Sequence, residues 1–272
     1  SNIKKACESC ARQIGENFLG LALGVPGLVD FNTGQLLFAP NLNWKNVALR
    51  EYLRSEFNAP IFIDNEANLA TLGEYYFGAA YQNPDVLYIS AGVGLGGGIL
   101  REAHLLRGVA GMAGEFGHIT MDTEGEICGC GNRGCWETQA SQRALFRYVA
   151  RALGENRESV LWERTRHDLK ELNVAMIVTA AQDGDQVARE SLEKVGHYLG
   201  IGIASMVNAL NPGIVVFGGI MSIAWEYLEP AISSEMSKRA LLWNREGTQI
   251  VLAQHGKNAC VMGGIATVYH AI

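Results

Sequence analysis

The sequence predicts an α/β protein, and three observations carry that expectation. Apolar runs of strand length, FLGLALG (18–24), APIFID (59–64), DVLYISAG and PGIVVFGG (212–219), are bounded by turn-forming residues. Stretches between them place apolar residues at helical spacing, as Leu192, Val195, Leu199, Ile203 and Met206 do within 185–210. The two kinds of segment alternate, which is the pattern of strands covered by helices.

In chain order, residues 3–16 read as an amphipathic helix and 18–24 as a buried strand that ends at the turn VPG. LVDFNTGQLLFAP reads as a hairpin with Asn32, Thr33 and Gly34 at its tip. Residues 46–57 read as a helix and 59–64 as a strand. A further helix starts near Asn65 and runs to a glycine stop at Gly78. DVLYISAG and GGGILRE form two strands around a glycine-rich turn. Helices follow over 138–153, 157–165, 172–182 and 185–210, then a strand at 212–219 with a helix after it, a last strand TQIVLAQ and a closing helix NACVMGGIATVYHAI. This order suggests two lobes with a cleft between them: 1–80 plus 258–272 as the smaller, and 81–257 as the larger. The apolar stripe of 185–210 serves either the core or a second subunit.

Composition narrows the class. At 272 residues the chain buries a sizeable core, and 32 glycines with 6 prolines are those of an ordinary globular protein. It has no apolar run of 18 residues, so no membrane span is expected. The polar start SNIKKACESC gives no sign of a signal peptide, which makes the cytoplasm the expected location. A net charge of -6 without a long basic run makes these residues poor nucleic-acid binders by themselves. Cys7 and Cys10 form a C-x-x-C that reads as two helix residues.

The strongest local signal is GEFGHITMDTEGEICGCGNRGCWE, from Gly114 to Glu137. Cys128, Cys130 and Cys135 give C-x-C-x4-C, with His118 ten residues upstream. Thiolates and a neutral imidazole are preferred zinc ligands, and four of them close a tetrahedral structural site. Gly129, Gly131 and Gly134 let the backbone fold tightly around the ion. A second signal is SAGVGLGGGIL (90–100), with Gly92, Gly94, Gly96, Gly97 and Gly98 between two strands. Such a turn brings backbone N–H groups close to a phosphate, although hairpins need glycine too. A strand follows it, so it is not a dinucleotide fingerprint; it matches the phosphate hairpins of the actin-like ATPase architecture. Gly218 and Gly219, after a buried strand, make a second turn of this kind.

Together LGVPGLVD, APNLNW, DNEANLATLGEYYFG, AGVGLGGGI and AGEFGHITMD…CGCGNRGCWE resemble the ROK family, which groups bacterial sugar kinases with sugar-responsive repressors. The resemblance covers nearly the whole chain and is closest in wording to the xylose-repressor and N-acetylglucosamine-repressor branch. It implies an actin-like ATPase (sugar kinase, ribonuclease H-like) two-lobed fold and a structural zinc on His118, Cys128, Cys130 and Cys135. It also implies a monosaccharide in the cleft, contacted by Gly27, Asn41, Asn65, Glu66, Glu115, His118 and Glu137. Capping of a helix or turn is the competing role for Asn41 and Asn65. Homodimers or homotetramers are the expected assemblies.

Two departures decide between repressor and kinase. Family kinases carry Asn-Asp, with the Asp as general base, where this chain has Asn65-Glu66. The extra methylene displaces the carboxylate by about 1 Å, and a misplacement of that size costs on the order of a hundredfold in rate. The opening phosphate motif Asp-x-Gly-x-Thr is also missing ahead of the first helix, which leaves the first lobe short of strands. The expectation is therefore the sugar-binding effector domain of a transcriptional regulator, with DNA met only through a winged helix-turn-helix not present in these residues. The alternative is an ATP-dependent sugar kinase using Mg2+ and ATP at Gly92, Gly94, Gly96, Gly97, Gly218 and Gly219, with Glu66 in place of the base.

Overall fold

The structure, a computed structural model, describes residues 2–15, 18–39, 42–109 and 111–271. The chain forms two compact units, residues 1–88 with 98–114 and 257–272, and residues 89–97 with 115–256.

The first unit opens with helix α1 (Asn2–Ile14). Strand β1 (Leu21–Val25) pairs in parallel with β5 (Ile61–Asn65), in a register that sets Val25 beside Asn65. Between them runs an antiparallel meander of β2 (Leu28–Asp30), β3 (Gln35–Ala39) and β4 (Trp44–Val47), followed by the short helix α2 (Leu49–Arg54). Leu36, Leu53 and Ile63 are fully buried among these elements. The meander corrects the helix expected from residue 46. Trp44, Lys45 and Val47 pair with Ala39, Phe38 and Leu36, so hydrogen bonds to the preceding strand β3 hold this segment extended. Arg50 pins the hairpin tip by donating to the carbonyl oxygens of Asn32 (2.5 Å) and Phe31 (2.7 Å).

Helix α3 (Glu66–Phe77) packs on the closing helix α11 (Ala259–His270). The helices cross at glycines: a Cβ at Gly263 would meet Leu69 O at 1.6 Å, and one at Gly73 would meet Ala259 O at 2.2 Å. Strands β6 (Val86–Ala91) and β7 (Leu95–Arg101) carry residues of both units, and β8 (His104–Leu105) is a short antiparallel partner of β7 that the sequence did not signal.

The second unit is helical around the parallel strands β9 (Ile214–Gly218) and β10 (Gln249–Leu252), which belong to a five-stranded sheet of order β10-β9-β6-β7-β8. Its helices are α4 (Glu137–Ala140), α5 (Gln142–Gly154), α6 (Val160–Arg164), α7 (Val174–Gln182), α8 (Gln186–Leu210), α9 (Trp225–Arg239) and α10 (Leu242–Gly247). Several start where the sequence supplies a capping oxygen: Ser141, Ser159, Asn173 and Asp185 each accept a backbone N–H of the first turn. The helix expected over 138–153 is broken at Ser141, which is extended and caps α5. The apolar stripe of α8 is core: Leu192, Val195, Leu199 and Ile203 are fully buried. Among the described residues no helix is long and apolar enough to cross a membrane.

Candidate functional site

The loop between residues 115 and 137 folds on itself through short backbone bonds. Cys128 N–H donates to Asn132 O at 2.7 Å, Met121 N–H to Gly134 O at 2.7 Å and Trp136 N–H to Ile119 O at 2.8 Å. Gly134 lies at φ +68°, where a Cβ would fall 1.5 Å from Asp122 O, so this close approach admits only glycine. Trp136 anchors the loop to α8. Its ring occupies the space that a Cβ on Gly202 would take, and its Nε1–H donates to Tyr198 O at 2.8 Å. That anchor had no signal in the sequence beyond the presence of a tryptophan next to Cys135.

This folding gathers His118, Cys128, Cys130 and Cys135, whose donor atoms all lie within 4.8 Å of one another. His118 Nδ1 is 3.6 Å from Cys128 Sγ, and Cys130 Sγ is 3.6 Å from Cys135 Sγ. Ligands about 2.3 Å from one tetrahedral ion stand about 3.8 Å apart, so the spacing fits a single metal ion. Chemistry agrees with geometry. Burial pushes the Cys135 thiol up to about 12 and raises that of Cys128, so near neutral pH these sulfurs keep their protons unless a cation displaces them. The four residues expected as ligands are therefore the four brought together.

Two carboxylates border the cluster. Glu115 Oε2 is 3.9 Å from His118 Nε2, the ring nitrogen turned away from the sulfurs. Burial raises the Glu115 carboxyl; His118 opposes the shift and Glu137 adds to it. Glu137, the first residue of α4, accepts the Leu95 N–H at 2.9 Å on one oxygen and holds the other 3.9 Å from Cys128 Sγ. Gly94 is the reason this fits, since a Cβ there would meet Glu137 Oε2 at 2.2 Å. One of the glycines expected to cradle a phosphate thus makes room for a carboxylate. Gly92 and Gly96 have nothing within 4 Å of a built Cβ. Gly97 and Gly218 are buried within strands, and Gly219, at φ +84°, packs against Ala91 O.

In the first unit, β5 delivers Asn65 and Glu66 to the start of α3. Asn65 caps the helix: its Oδ1 accepts from Ala67 N (2.7 Å) and Asn68 N (3.4 Å), and its Nδ2 donates to Gly27 O at 2.9 Å. One Nδ2 hydrogen remains for a ligand. Gly27 sits at φ +98° with Phe38 O 2.2 Å from a built Cβ, so only glycine fits where its carbonyl accepts the Asn65 amide. Glu66 is an exposed residue overall, and partial desolvation of its carboxyl raises it. Asn41 lies outside the described residues. Two residues escaped sequence reasoning. Asp64 is buried beside Asn65, and Arg107 meets it with both terminal nitrogens, at 3.1 and 2.7 Å. A carboxylate ending an otherwise apolar buried strand was the available signal for Asp64; nothing local marks Arg107.

These features first define a class, an α/β protein of the actin-like ATPase fold whose glycine-rich turn is tied to a metal-competent Cys3His loop. The chain belongs to the ROK family, whose model matches residues 1–271. It is 37% identical over 260 residues to a xylose repressor of Caldicellulosiruptor bescii, which covers 95% of this chain and 64% of the relative, so the chain spans less than two thirds of that protein. Among solved structures, a ROK family transcriptional regulator described as a homologue of the E. coli MLC protein superposes with a TM-score of 0.87 at 31% identity, over 99% of this chain and 67% of that one. A Streptomyces griseus ROK glucokinase solved with glucose and AMPPNP also reaches a TM-score of 0.87, at 33% identity over 99% of this chain and 88% of that one. Regulators and kinases therefore both stand among its relatives.

Proposed function

We propose that this chain is the sugar-binding effector part of a ROK-type transcriptional regulator, binding a monosaccharide through Gly27, Asn41, Asn65, Glu66, Glu115, His118 and Glu137, with a structural zinc on His118, Cys128, Cys130 and Cys135. The observation that carries this reading is Glu66. It stands next to the helix-capping Asn65 with a carboxylate free to accept sugar hydroxyls, but one methylene longer than the aspartate that a kinase of this family uses as its base. The similarity to xylose repressors supports it. Zinc closes a four-ligand site and holds the His118 ring, so that Nε2 presents to a hydroxyl. A net charge of -6 makes these residues poor nucleic-acid binders by themselves, so DNA contact is proposed only through a winged helix-turn-helix not present in this chain. A cytoplasmic homodimer or homotetramer is the assembly proposed with it.

The second reading, an ATP-dependent sugar kinase, is favoured by the likeness to a glucokinase solved with glucose and AMPPNP and by the raised Glu66 carboxyl, since a raised pKa suits a general base. Mg2+ and ATP would then use the turns that carry Gly92, Gly94, Gly96, Gly97, Gly218 and Gly219.

One experiment separates the two. Xylose and glucose are titrated by calorimetry, and ATP turnover is followed in a coupled assay, for the parent, Glu66→Gln and Glu66→Asp. Sugar binding without turnover in the parent supports the effector reading. Turnover that vanishes in Glu66→Gln and rises in Glu66→Asp establishes the kinase.

A further inference from the structure

Asp64 is 2% exposed, and its carboxylate meets four donors. Oδ1 accepts from the Asn65 backbone N–H (2.8 Å), Asn68 Nδ2 (3.1 Å) and one terminal nitrogen of Arg107 (3.1 Å); Oδ2 accepts from the other at 2.7 Å. Among the described residues Arg107 is the only cation paired with it. The guanidinium carbon also lies 3.8 Å from the centroid of the Phe31 ring, in the β2–β3 hairpin. Arg107 O accepts the Ala113 N–H at 3.0 Å. Gly111, at φ +77°, comes against Val29 O. One planar side chain thus joins the hairpin and the end of β5.

A buried ion pair is a poor source of stability, because desolvating both charges offsets most of their attraction. It is a good source of fixed geometry, and a guanidinium fork sets direction as well as distance. The geometry set here is that of the ligand turn. Asp64 holds the Asn65 N–H and the Asn68 side chain, Asn65 caps α3 and reaches Gly27 O, and Glu66 follows directly.

We propose that Arg107 is a positioning residue of the ligand site: acting through Asp64, it fixes the Asn65–Glu66 turn and so sets affinity and selectivity for the monosaccharide. This rests on the proposed reading of the chain as a sugar binder, and the test is built so that the two fail separately. Arg107→Met, Arg107→Lys, Asp64→Asn and the Arg107→Met/Asp64→Asn double variant are compared with the parent. Affinities for D-xylose and D-glucose are measured by calorimetry, and amide hydrogen exchange is followed in the absence of sugar.

Removing a charged hydrogen-bonding partner is expected to weaken binding about tenfold or more in Arg107→Met and to change the ratio of the two affinities. Arg107→Lys keeps the charge without the fork and falls between. The double variant binds no worse than the weaker single variant, because both act on one linkage. Exchange at the Ala67 and Asn68 amides quickens, while the rest of α3 is unchanged; a general loss of stability would quicken all of it. If the parent binds no monosaccharide, the function reading fails, and local quickening at these two amides still upholds the positioning role. Unchanged exchange at these amides in both Arg107→Lys and Asp64→Asn overturns it, as does folded Arg107→Met that binds both sugars within about twofold of the parent.

Discussion

His118 faces two ways: Nδ1 is 3.6 Å from Cys128 Sγ, while Nε2 turns toward Glu115. A metal on Nδ1 fixes the tautomer and leaves Nε2 carrying the proton, ready to donate. The expected result is one zinc per chain by elemental analysis, lost on chelation or in Cys135→Ser. Because the ion's binding energy is folding energy for the loop its four ligands close, metal removal should cost several kcal/mol and lower the thermal midpoint by about 10 °C or more. Purified protein holding well under one metal per chain would sink the assignment.

Trp136 sits between Cys135 of the Cys3His cluster and Glu137, and its ring fills the notch at Gly202. Trp136→Ala is expected to cost about 3–5 kcal/mol of stability, the usual result of emptying such a site. It should also weaken metal retention, because the loop loses its tie to α8. Urea unfolding and a competitive chelator titration measure the two losses; retention unchanged in a destabilised variant would separate the anchor from the metal.

Gly92 and Gly94 share one turn, separated by Val93, but meet different surroundings. Gly94→Ala would push the Glu137 carboxylate off the Leu95 N–H, losing a charged hydrogen bond worth about 1.5–3 kcal/mol, whereas Gly92→Ala meets open space. Sugar affinity is expected to fall tenfold or more in the first and to hold in the second. Equal effects in calorimetry would mean that the turn is sensitive for another reason, such as a bound phosphate.

Glu235 is buried on α9 and held near pKa 2 by Lys238 (2.7 Å) and Arg239 (2.6 Å), with His197 at 3.4 Å. Its folded pKa lies below the unfolded value of 4.5, so the pair stabilises the fold above that pH. That contribution drains away as pH falls from about 4.5 through 2. Glu235→Gln should lower stability at neutral pH and flatten the acid limb between these values. The comparison is made on metal-free protein, so that loss of zinc does not add its own acid limb. Parallel pH curves for the two proteins would refute it.

The sequence by itself determined the alternation of strands and helices, local caps, and the Cys3His cluster, because each rests on residues near one another in the chain. Asn65 and Asp185 cap by reaching two or three residues ahead, and C-x-C-x4-C needs only a glycine-rich loop to close. Tertiary structure decided whatever depends on a distant partner. Residues 44–47 became a strand because β3 offered hydrogen bonds, Gly94 proved to be space for Glu137, forty-three residues away in the chain, and Trp136 found its notch on α8. Asp64 shows the divide most plainly. Its place at the end of an apolar strand was visible, but the charge that makes its burial tolerable comes from Arg107, which only the folded chain brings beside it.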